Sequence, residues 1–123
     1  MKILKYLILI LFLSGCGDGI RTIHPEFGYN YSLNTDFISP EISNDSLKIP
    51  VVFDGCDRNH IFDLQYNTSK LSYSEVWLFK KTPTQFCEVS HLEIKTFNLP
   101  PEVALTNEIY LLGPKGKRIL LSR

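Results

Sequence analysis

The sequence predicts an all-β fold, a small antiparallel β-sandwich of immunoglobulin-like type, with a small β-barrel as the alternative. Residues that prefer strands are plentiful, with eight Phe and six Tyr, whereas Ala, the best helix former, occurs once, at Ala104. Apolar and polar residues alternate in about seven short stretches, and turn residues separate them at intervals of roughly eight to twelve residues. This spacing is typical of sandwiches and small barrels.

The first element is an N-terminal export signal. Lys2 and Lys5 precede an uninterrupted apolar run over residues 6–13, and the small residues Ser14 and Gly15 follow it. That order is typical of a secretory signal, and the run is shorter than the roughly 20 residues that a membrane-spanning helix needs. The alternative, a buried helix of a cytosolic domain, leaves the small residues before the first cysteine unexplained. We therefore expect residues 1–15 to be removed.

The stretch Leu13-Ser14-Gly15-Cys16 resembles the lipobox of bacterial lipoproteins. The resemblance implies cleavage before Cys16 and attachment of diacylglycerol to its sulfur, with a further acyl chain on its amino group in many bacteria. Two or more chains hold a protein firmly at a membrane. Because Gly17 and not aspartate follows the cysteine, the resemblance also implies sorting to the outer membrane, with the domain facing the periplasm.

The next segment, residues 16–46, is predicted to be a lipidated tether followed by one irregular first strand, and residues 47–123 to be the β-sandwich domain. Residues 17–46 are rich in Gly, Asn, Ser, Asp and Pro and lack helical periodicity. The alternating aromatics Phe27, Tyr29 and Tyr31 indicate the buried face of an edge strand, with a binding surface as the alternative.

Two alternating stretches then predict two strands and a turn. Their inward residues are Leu47, Ile49, Val51 and Phe53 in the first and His60, Phe62, Leu64 and Tyr66 in the second. Pro50 predicts that the first strand lies at a sheet edge or contains a bulge, because proline lacks an N–H. Asp54-Gly55 ends the first strand, and Asn67-Thr68-Ser69 is predicted to be the turn after the second.

The remaining strands are predicted from the same alternation. One strand carries Tyr73, Glu75, Trp77 and Phe79 on one face and Val76 and Leu78 on the other, so it should be central. The next strand runs from Phe86 and Cys87 to Asn98, with inward residues Leu92, Ile94 and Thr96 and outward residues Glu93 and Lys95. Residues 109–112 and 118–121 form a closing hairpin around a loop at 113–117. The tip of this hairpin carries a basic cluster of Lys115, Lys117 and Arg118. We expect these residues to lie in a solvated turn, with contact to an anionic surface as the alternative.

Composition and charge exclude nucleic acid as a partner. The chain has 13 basic and 13 acidic residues, and loss of Lys2 and Lys5 with the signal leaves 11 basic against 13 acidic. Such a balance attracts no polyanion. The mature part is long enough for one domain and too short for two.

No catalytic residue, cofactor or metal is predicted. The chain has no Gly-x-Ser-x-Gly elbow, no phosphate-binding glycine loop and no His-Glu-x-x-His helix. The carboxylate pairs Asp54 with Asp57 and Glu88 with Glu93 lie beside turns, where acids are usually solvated or capping residues. The sequence therefore favours a protein that is not an enzyme.

Cys56 and Cys87 are predicted to form a disulfide. Each precedes a histidine by four residues, His60 and His91, so a Cys2His2 zinc site is the alternative. Four residues of extended strand span about 13 Å, whereas two ligands of one zinc lie within about 4 Å of each other. An oxidising compartment also favours a bridge between an even pair of cysteines.

Two partial similarities involve these cysteines and transfer no function. The order Cys56, Trp77, Cys87 loosely resembles the immunoglobulin pattern, although true domains of that family space the cysteines about twice as far apart. A second set of residues is similar to uncharacterised small bacterial lipoproteins, namely Gly55, Cys56, His60, Phe62, Leu64, Cys87 and Glu88.

The function expected from these features is that of a non-enzymatic binding or assembly module of the bacterial cell envelope. It is anchored to the membrane by lipid on Cys16 and engages an envelope protein through strand edges or loops. The alternative is a periplasmic inhibitor of a lysozyme or another hydrolase, because such inhibitors share the size, the lipid anchor and a disulfide. The Ser-Gly-rich loop of those inhibitors is missing here.

Overall fold

The computed structural model describes residues 24–69 and 72–121, so the predicted signal and Cys16 lie outside the described residues. Within these ranges the chain forms strands and one short helix. The strands are β1 (Ser32–Leu33), β2 (Glu41–Ser43), β3 (Ser46–Asp54), β4 (Phe62–Ser69), β5 (Tyr73–Lys80), β6 (Ser90–Asn98), β7 (Glu108–Gly113) and β8 (Lys117–Leu120). Helix α1 spans Pro101–Ala104, and a 3-10 turn spans Pro114–Gly116.

The first sheet is built around β3. Strand β6 pairs antiparallel along one edge of β3, from Ser46 opposite Asn98 to Asp54 opposite Ser90. The short strands β1 and β2 share the other edge. This makes β3 the central strand of its sheet and leaves β6 with one strand partner among the described residues.

Pro50 was predicted to mark an edge or a bulge, and that prediction is wrong for the strand as a whole. β1 pairs with Val51 and Val52 and β2 pairs farther along, so Pro50 lies in the gap between them. The Asn34 N–H donates to the Pro50 carbonyl oxygen, 3.2 Å away, on the same side of β3. Because the nitrogen and oxygen of one strand residue point to the same side, the missing donor of the proline faces this gap.

The second sheet has the strand order β4-β5-β7-β8. β5 is central, as the sequence predicted, and carries apolar residues on both faces. β5 and β7 are parallel, which the prediction of an antiparallel sheet missed. The chain leaves β5, passes through β6 in the other sheet and through α1, and returns in the same direction. The two sheets do not close into a barrel, so the predicted β-sandwich is confirmed.

The core lies between the two sheets. The four inward residues predicted for β3 are confirmed, since Leu47, Ile49, Val51 and Phe53 are all buried. From the second sheet, the core receives Phe62, Val76, Leu78, Ile109 and Leu111. Burial of such side chains is the main favourable contribution to folding, at roughly 1.5–3 kcal/mol each.

Residues before position 47 pack on the same core. Tyr31 and Leu33 are buried and Phe27 packs against them, whereas Tyr29 is exposed, so only part of the predicted buried aromatic stripe is confirmed. Gly28 lies between Phe27 and Tyr29 with φ +72°, a left-handed conformation that interrupts the alternation of a strand. A Cβ at Gly28 would lie 2.3 Å from the backbone oxygen of Lys80, so only glycine fits there.

Two predicted turns differ from the structure. Asn67-Thr68-Ser69 belongs to β4, where it pairs with residues 73–75, and the Ser72 N–H donates to the Ser69 oxygen. Cross-strand pairing therefore outweighs the turn preference of these residues. The closing hairpin of β7 and β8 is confirmed, but Gly113 pairs with Lys117, which shortens its loop to Pro114–Gly116.

Candidate functional site

The predicted disulfide is confirmed, since Cys56 is bonded to Cys87. Their Cα atoms are 5.1 Å apart although 31 positions separate them in the chain. The bond joins the segment between β3 and β4, here called the 55–61 loop, to the segment between β5 and β6, here called the 81–89 loop. Both loops lie at the end of the sandwich where β5 ends.

Hydrogen bonds fasten the same two loops together. The Gln85 side-chain oxygen accepts from the Cys56 N–H at 2.7 Å and also lies 3.3 Å from Nε2 of His60. In the same direction, the Gly55 N–H donates to the Val89 oxygen at 3.0 Å. The Ile61 N–H donates to the Thr82 hydroxyl at 2.8 Å, and the Lys81 N–H donates to the Ile61 oxygen at 2.8 Å. The two loops therefore form one rigid, disulfide-linked unit.

His60 lies in the 55–61 loop and His91 in β6, and both are buried. Their rings lie 4.5 Å and 5.6 Å from the Phe53 ring centroid, and Nε2 of His91 is 2.8 Å from the Gly55 oxygen. Thiolates are the sulfur ligands of zinc, and both sulfurs are in the disulfide, so the structure does not have the alternative Cys2His2 arrangement. In the described ranges, no group of three or more His, Cys, Asp or Glu side chains is placed to hold a metal ion.

The disulfide-linked unit presents a fully exposed Phe86. Phe86 lies between Gln85 and Cys87, and the side chains of both neighbours reach the 55–61 loop. Because the residues on each side are fastened, Phe86 is held outward. Ile61 and Val89 are also more than half exposed at this end of the sandwich.

The two faces of strand β6 are oriented opposite to the prediction. Leu92 and Ile94 were expected to face the core, but they point outward and are 46% and 48% exposed. Glu93 lies opposite Val51 in the pairing with β3, and Lys95 lies opposite Ile49, so both charged residues are on the inward face.

The inversion is fixed by long-range contacts of the inward residues. His91 pairs with Phe53 and contacts its ring, which sets the register. Since side chains alternate along a strand, Glu93 and Lys95 must then point inward. Glu93 lies 3.5 Å from the Arg58 guanidinium, and the Lys95 ammonium donates to the His60 oxygen at 3.1 Å.

The outer face of the first sheet is consequently apolar near β6. Leu92 lies opposite Val52 of β3, and Ile94 lies opposite Pro50. Val52 is half-buried and Pro50 is buried. Leu92, Ile94 and Val52 form what we call the β6 face, whereas Pro50 adds no accessible surface to it. Sequence reasoning missed it because the alternation of β6 is compatible with either face.

The acids and bases singled out in the sequence have local roles. Asp54 accepts a hydrogen bond from the Ser90 hydroxyl, and Asp57 accepts one from the Asn59 N–H. Arg118 is 2.8 Å from Glu75 and its guanidinium lies 4.2 Å from the Tyr110 ring centroid, so it belongs to the face of β8 and not to a turn. A hydrogen bond to Glu108 raises the pKa of Tyr110.

The β7–β8 turn borders an open cleft of about 380 Å³. The Lys117 ammonium donates to the Leu33 oxygen at 3.1 Å, whereas Lys115 is exposed with φ +63°. The titratable groups on its wall are Asp54, Tyr31, Lys115 and Lys117. Within the part of the chain that the structure describes, no two of these four groups hydrogen-bond each other.

Lys80, the last residue of β5, is a buried cation. Its side chain is 0% exposed, and its ammonium donates to the Thr82 oxygen at 2.7 Å and lies 5.8 Å from the Phe53 ring centroid. Among the described residues it has no carboxylate partner. Burial penalises the charged form and lowers the pKa of Lys80.

Lys80→Met is expected to stabilise the fold at pH 7 and to remove one contribution to its pH dependence. Because the folded-state pKa of Lys80 lies below the unfolded value of 10.5, the unfolded chain binds more protons between these two values. The stability of the wild type therefore gains a contribution as pH rises through that window. The free energy of unfolding in urea, measured from pH 7 to 10.5, should show the advantage of Lys80→Met shrinking as pH rises toward the unfolded value. Lys81→Met, at an exposed neighbour, should show no such trend; equal trends in both variants would contradict the assignment.

No helix in the described ranges has the length and apolar character needed to cross a membrane. Comparisons of the chain with models of protein families, with curated proteins and with solved structures find no match.

Proposed function

We propose that this protein is a non-enzymatic docking module of the bacterial cell envelope. It is anchored by lipid on Cys16, at the outer membrane and facing the periplasm, and it binds an envelope protein through the β6 face. The observation that carries this proposal is the orientation of β6. Its aliphatic residues Leu92 and Ile94 face outward, and its charged residues Glu93 and Lys95 point inward.

This orientation of β6 is energetically unfavourable for a domain that has no binding partner. An inward-facing charge loses hydration and needs a partner, and two aliphatic side chains remain half in water. The inward charges also discourage pairing of β6 with another sheet edge, which leaves the apolar face and not the edge for recognition. Exposed apolar patches with polar surroundings commonly mark protein interaction sites.

The size of the β6 face favours a partner in the same membrane. Two half-exposed aliphatic residues cover much less than the roughly 800 Å² per partner of a standard interface. A lipid anchor confines both proteins to one surface and so raises their effective concentration. A weak contact then suffices for association between anchored proteins.

The disulfide supports export to an oxidising compartment. Bridges of this kind persist outside the cytoplasm, which agrees with a signal ending at Gly15 and an anchor at Cys16. These two features are independent, because the Cys56–Cys87 bond follows from the folded domain and the signal from residues 1–15.

Inhibition of a lysozyme or another hydrolase is the second candidate. The observation that favours it is the rigid presentation of Phe86, since a protruding, fastened loop suits insertion into a cleft.

The docking proposal predicts that the double variant Leu92→Thr, Ile94→Thr loses its envelope partner. Threonine retains β-propensity, so the free energy of unfolding should change by no more than about 1 kcal/mol. Chemical crosslinking in intact envelopes, followed by purification of the anchored protein, measures partner recovery. We expect at least about a tenfold loss, which corresponds to about 1.4 kcal/mol of binding energy.

Leu120→Thr is the matched control. Leu120 is 57% exposed on the edge strand β8 of the other sheet, so it tests whether any exposed leucine of a strand contributes equally. Unchanged recovery with the double variant, or equal losses in both, would refute docking through the β6 face.

A further inference from the structure

We infer that the open cleft beside the β7–β8 turn binds a short extended peptide with both ends free. The amino end of the peptide lies at Asp54, and its carboxylate lies at Lys115 and Lys117. Such a site for a small ligand is separate from docking of an envelope protein and independent of the anchor, although Val52 contributes both to the cleft and to the β6 face.

The cleft forms where the chain crosses between the two sheets. The pairing of β1 with β3 ends at Val52, whereas β6 pairs with β3 as far as Asp54. Before β1 the chain contacts the other sheet, since Gly28 forms a bridge with Lys80 of β5. Residues 29–31 therefore pass from one sheet to the other. Among the described residues, no strand lies beside Asp54 on the β1 side of β3.

The main chain of Asp54 is open to a ligand on that side. The Gly55 N–H donates to the Val89 oxygen on the β6 side, and the main-chain groups of successive strand residues point to opposite sides. The N–H and the carbonyl oxygen of Asp54 therefore point to the β1 side. In the described ranges neither group has a hydrogen-bond partner, so both can pair with the main chain of an extended peptide.

The cleft has charged side chains of both signs. The Asp54 carboxylate is exposed and accepts one hydrogen bond, from the Ser90 hydroxyl at 2.6 Å. The Lys117 ammonium donates to the Leu33 oxygen, and an ammonium has two further N–H donors. Lys115 has no carboxylate partner within the part of the chain that the structure describes. Asp54 can therefore bind an ammonium group, and the two lysines can bind a carboxylate.

The spacing of these charges sets the length of the ligand. Leu33 lies opposite Val51 in the pairing of β1 with β3, so Asp54 is three residue steps farther along β3, about 10 Å. An extended peptide of two or three residues spans about 7–10 Å, which matches this separation. A single amino acid carries both charged groups on one carbon and cannot reach both positions.

The rest of the cleft suits small aliphatic side chains. Its apolar lining includes Leu33 and Phe53, which are buried, and Val52 and Pro114, which are half-buried. The volume of about 380 Å³ lies in the range of small-ligand sites. Alanine peptides are therefore suitable probes.

A chemical-shift titration of the isotope-labelled full-length chain, in micelles of an uncharged detergent, tests the site. The probes are trialanine, N-acetyl-trialanine and trialanine amide, so that each blocked peptide lacks one charged end. Asp54→Asn and the double variant Lys115→Gln, Lys117→Gln remove the charges but keep an oxygen and an N–H donor for the bonds within the fold. Lys48→Gln is the matched control, because Lys48 is exposed on β3 outside the cleft.

We expect trialanine to bind the wild type at least about tenfold more tightly than either blocked peptide, with shifts concentrated in the residues that line the cleft. In Asp54→Asn, the loss caused by N-acetylation should vanish while the loss caused by amidation persists. In the double lysine variant the reverse should hold. Lys48→Gln should behave like the wild type.

Equal binding of the three peptides, or losses that persist in both cleft variants, overturns the assignment of the charged ends. Shifts centred on other residues overturn the site, as does the absence of any shift at about 10 mM trialanine. Tighter binding of the neutral trisaccharide maltotriose than of trialanine assigns the cleft to a saccharide, which also overturns the peptide.

Discussion

Replacing Cys16 with serine is expected to abolish lipidation. The protein should then be found either with its signal uncleaved or in soluble form, without change to the folded domain. The reason is that the thiol of Cys16 is the proposed site of diacylglycerol attachment, and serine provides no thiol. One acyl chain binds a membrane marginally, whereas two or three bind firmly. The effect should therefore be close to all-or-none, and the mass of the mature N-terminal peptide measures it.

Cys56→Ala with Cys87→Ala is the matched comparison, because it removes the other two cysteines and leaves the anchor. That double variant should stay in the membrane fraction. A mature N-terminal peptide without lipid in the wild type, or one that retains residues 1–15, would contradict the assignment of Cys16.

The same double variant is expected to lower the free energy of unfolding by about 3–4 kcal/mol. The bond closes a loop of 31 positions, and the chain-entropy model gives this value for a loop of that size. Cys56 is exposed, so its replacement by alanine leaves no cavity in the core. The loss is a large share of the 5–15 kcal/mol typical of a domain.

Urea unfolding of the wild type with and without reductant provides the control, since the reduced wild type should match the double variant. The chain-entropy model would be contradicted by a change of less than about 1 kcal/mol. Free thiols in the native mature protein, found by mass measurement before reduction, would contradict the bond itself.

Much of the fold could be predicted from the sequence because the two central strands carry unambiguous patterns. In β3, the inward set from Leu47 to Phe53 has no competing set of similar hydrophobicity. In β5, apolar residues on both faces require neighbours on both sides. The parallel pairing of β5 with β7 could not be predicted, because it depends on β6 lying in the other sheet.

The β6 face could not be predicted, since β6 is ambiguous in sequence. Leu92 and Ile94 alternate with Glu93 and Lys95, and hydrophobicity alone favours burying the aliphatic pair. The partners that reverse this choice, such as Phe53 against His91, are distant in the chain and appear only when the sheet is formed. A one-position shift of register would exchange the two faces.

The disulfide could be predicted, but the exposure of Phe86 could not. Cysteine number and compartment indicated the bond. The side-chain contacts of Gln85 with the 55–61 loop hold Phe86 outward, and they depend on geometry between two loops. A bridging cysteine next to an aromatic residue was the only sequence signal for this feature.

Site-specific photocrosslinking at position 94 tests the docking proposal most directly. A photoreactive residue would replace Ile94 in the full chain, and the protein would be studied in its native cell envelope. The same photoreactive residue in place of Leu120 would serve as the control. The proposal predicts one dominant adduct with an envelope protein from position 94 and none from position 120. No adduct from position 94, or identical adducts from both positions, would contradict it.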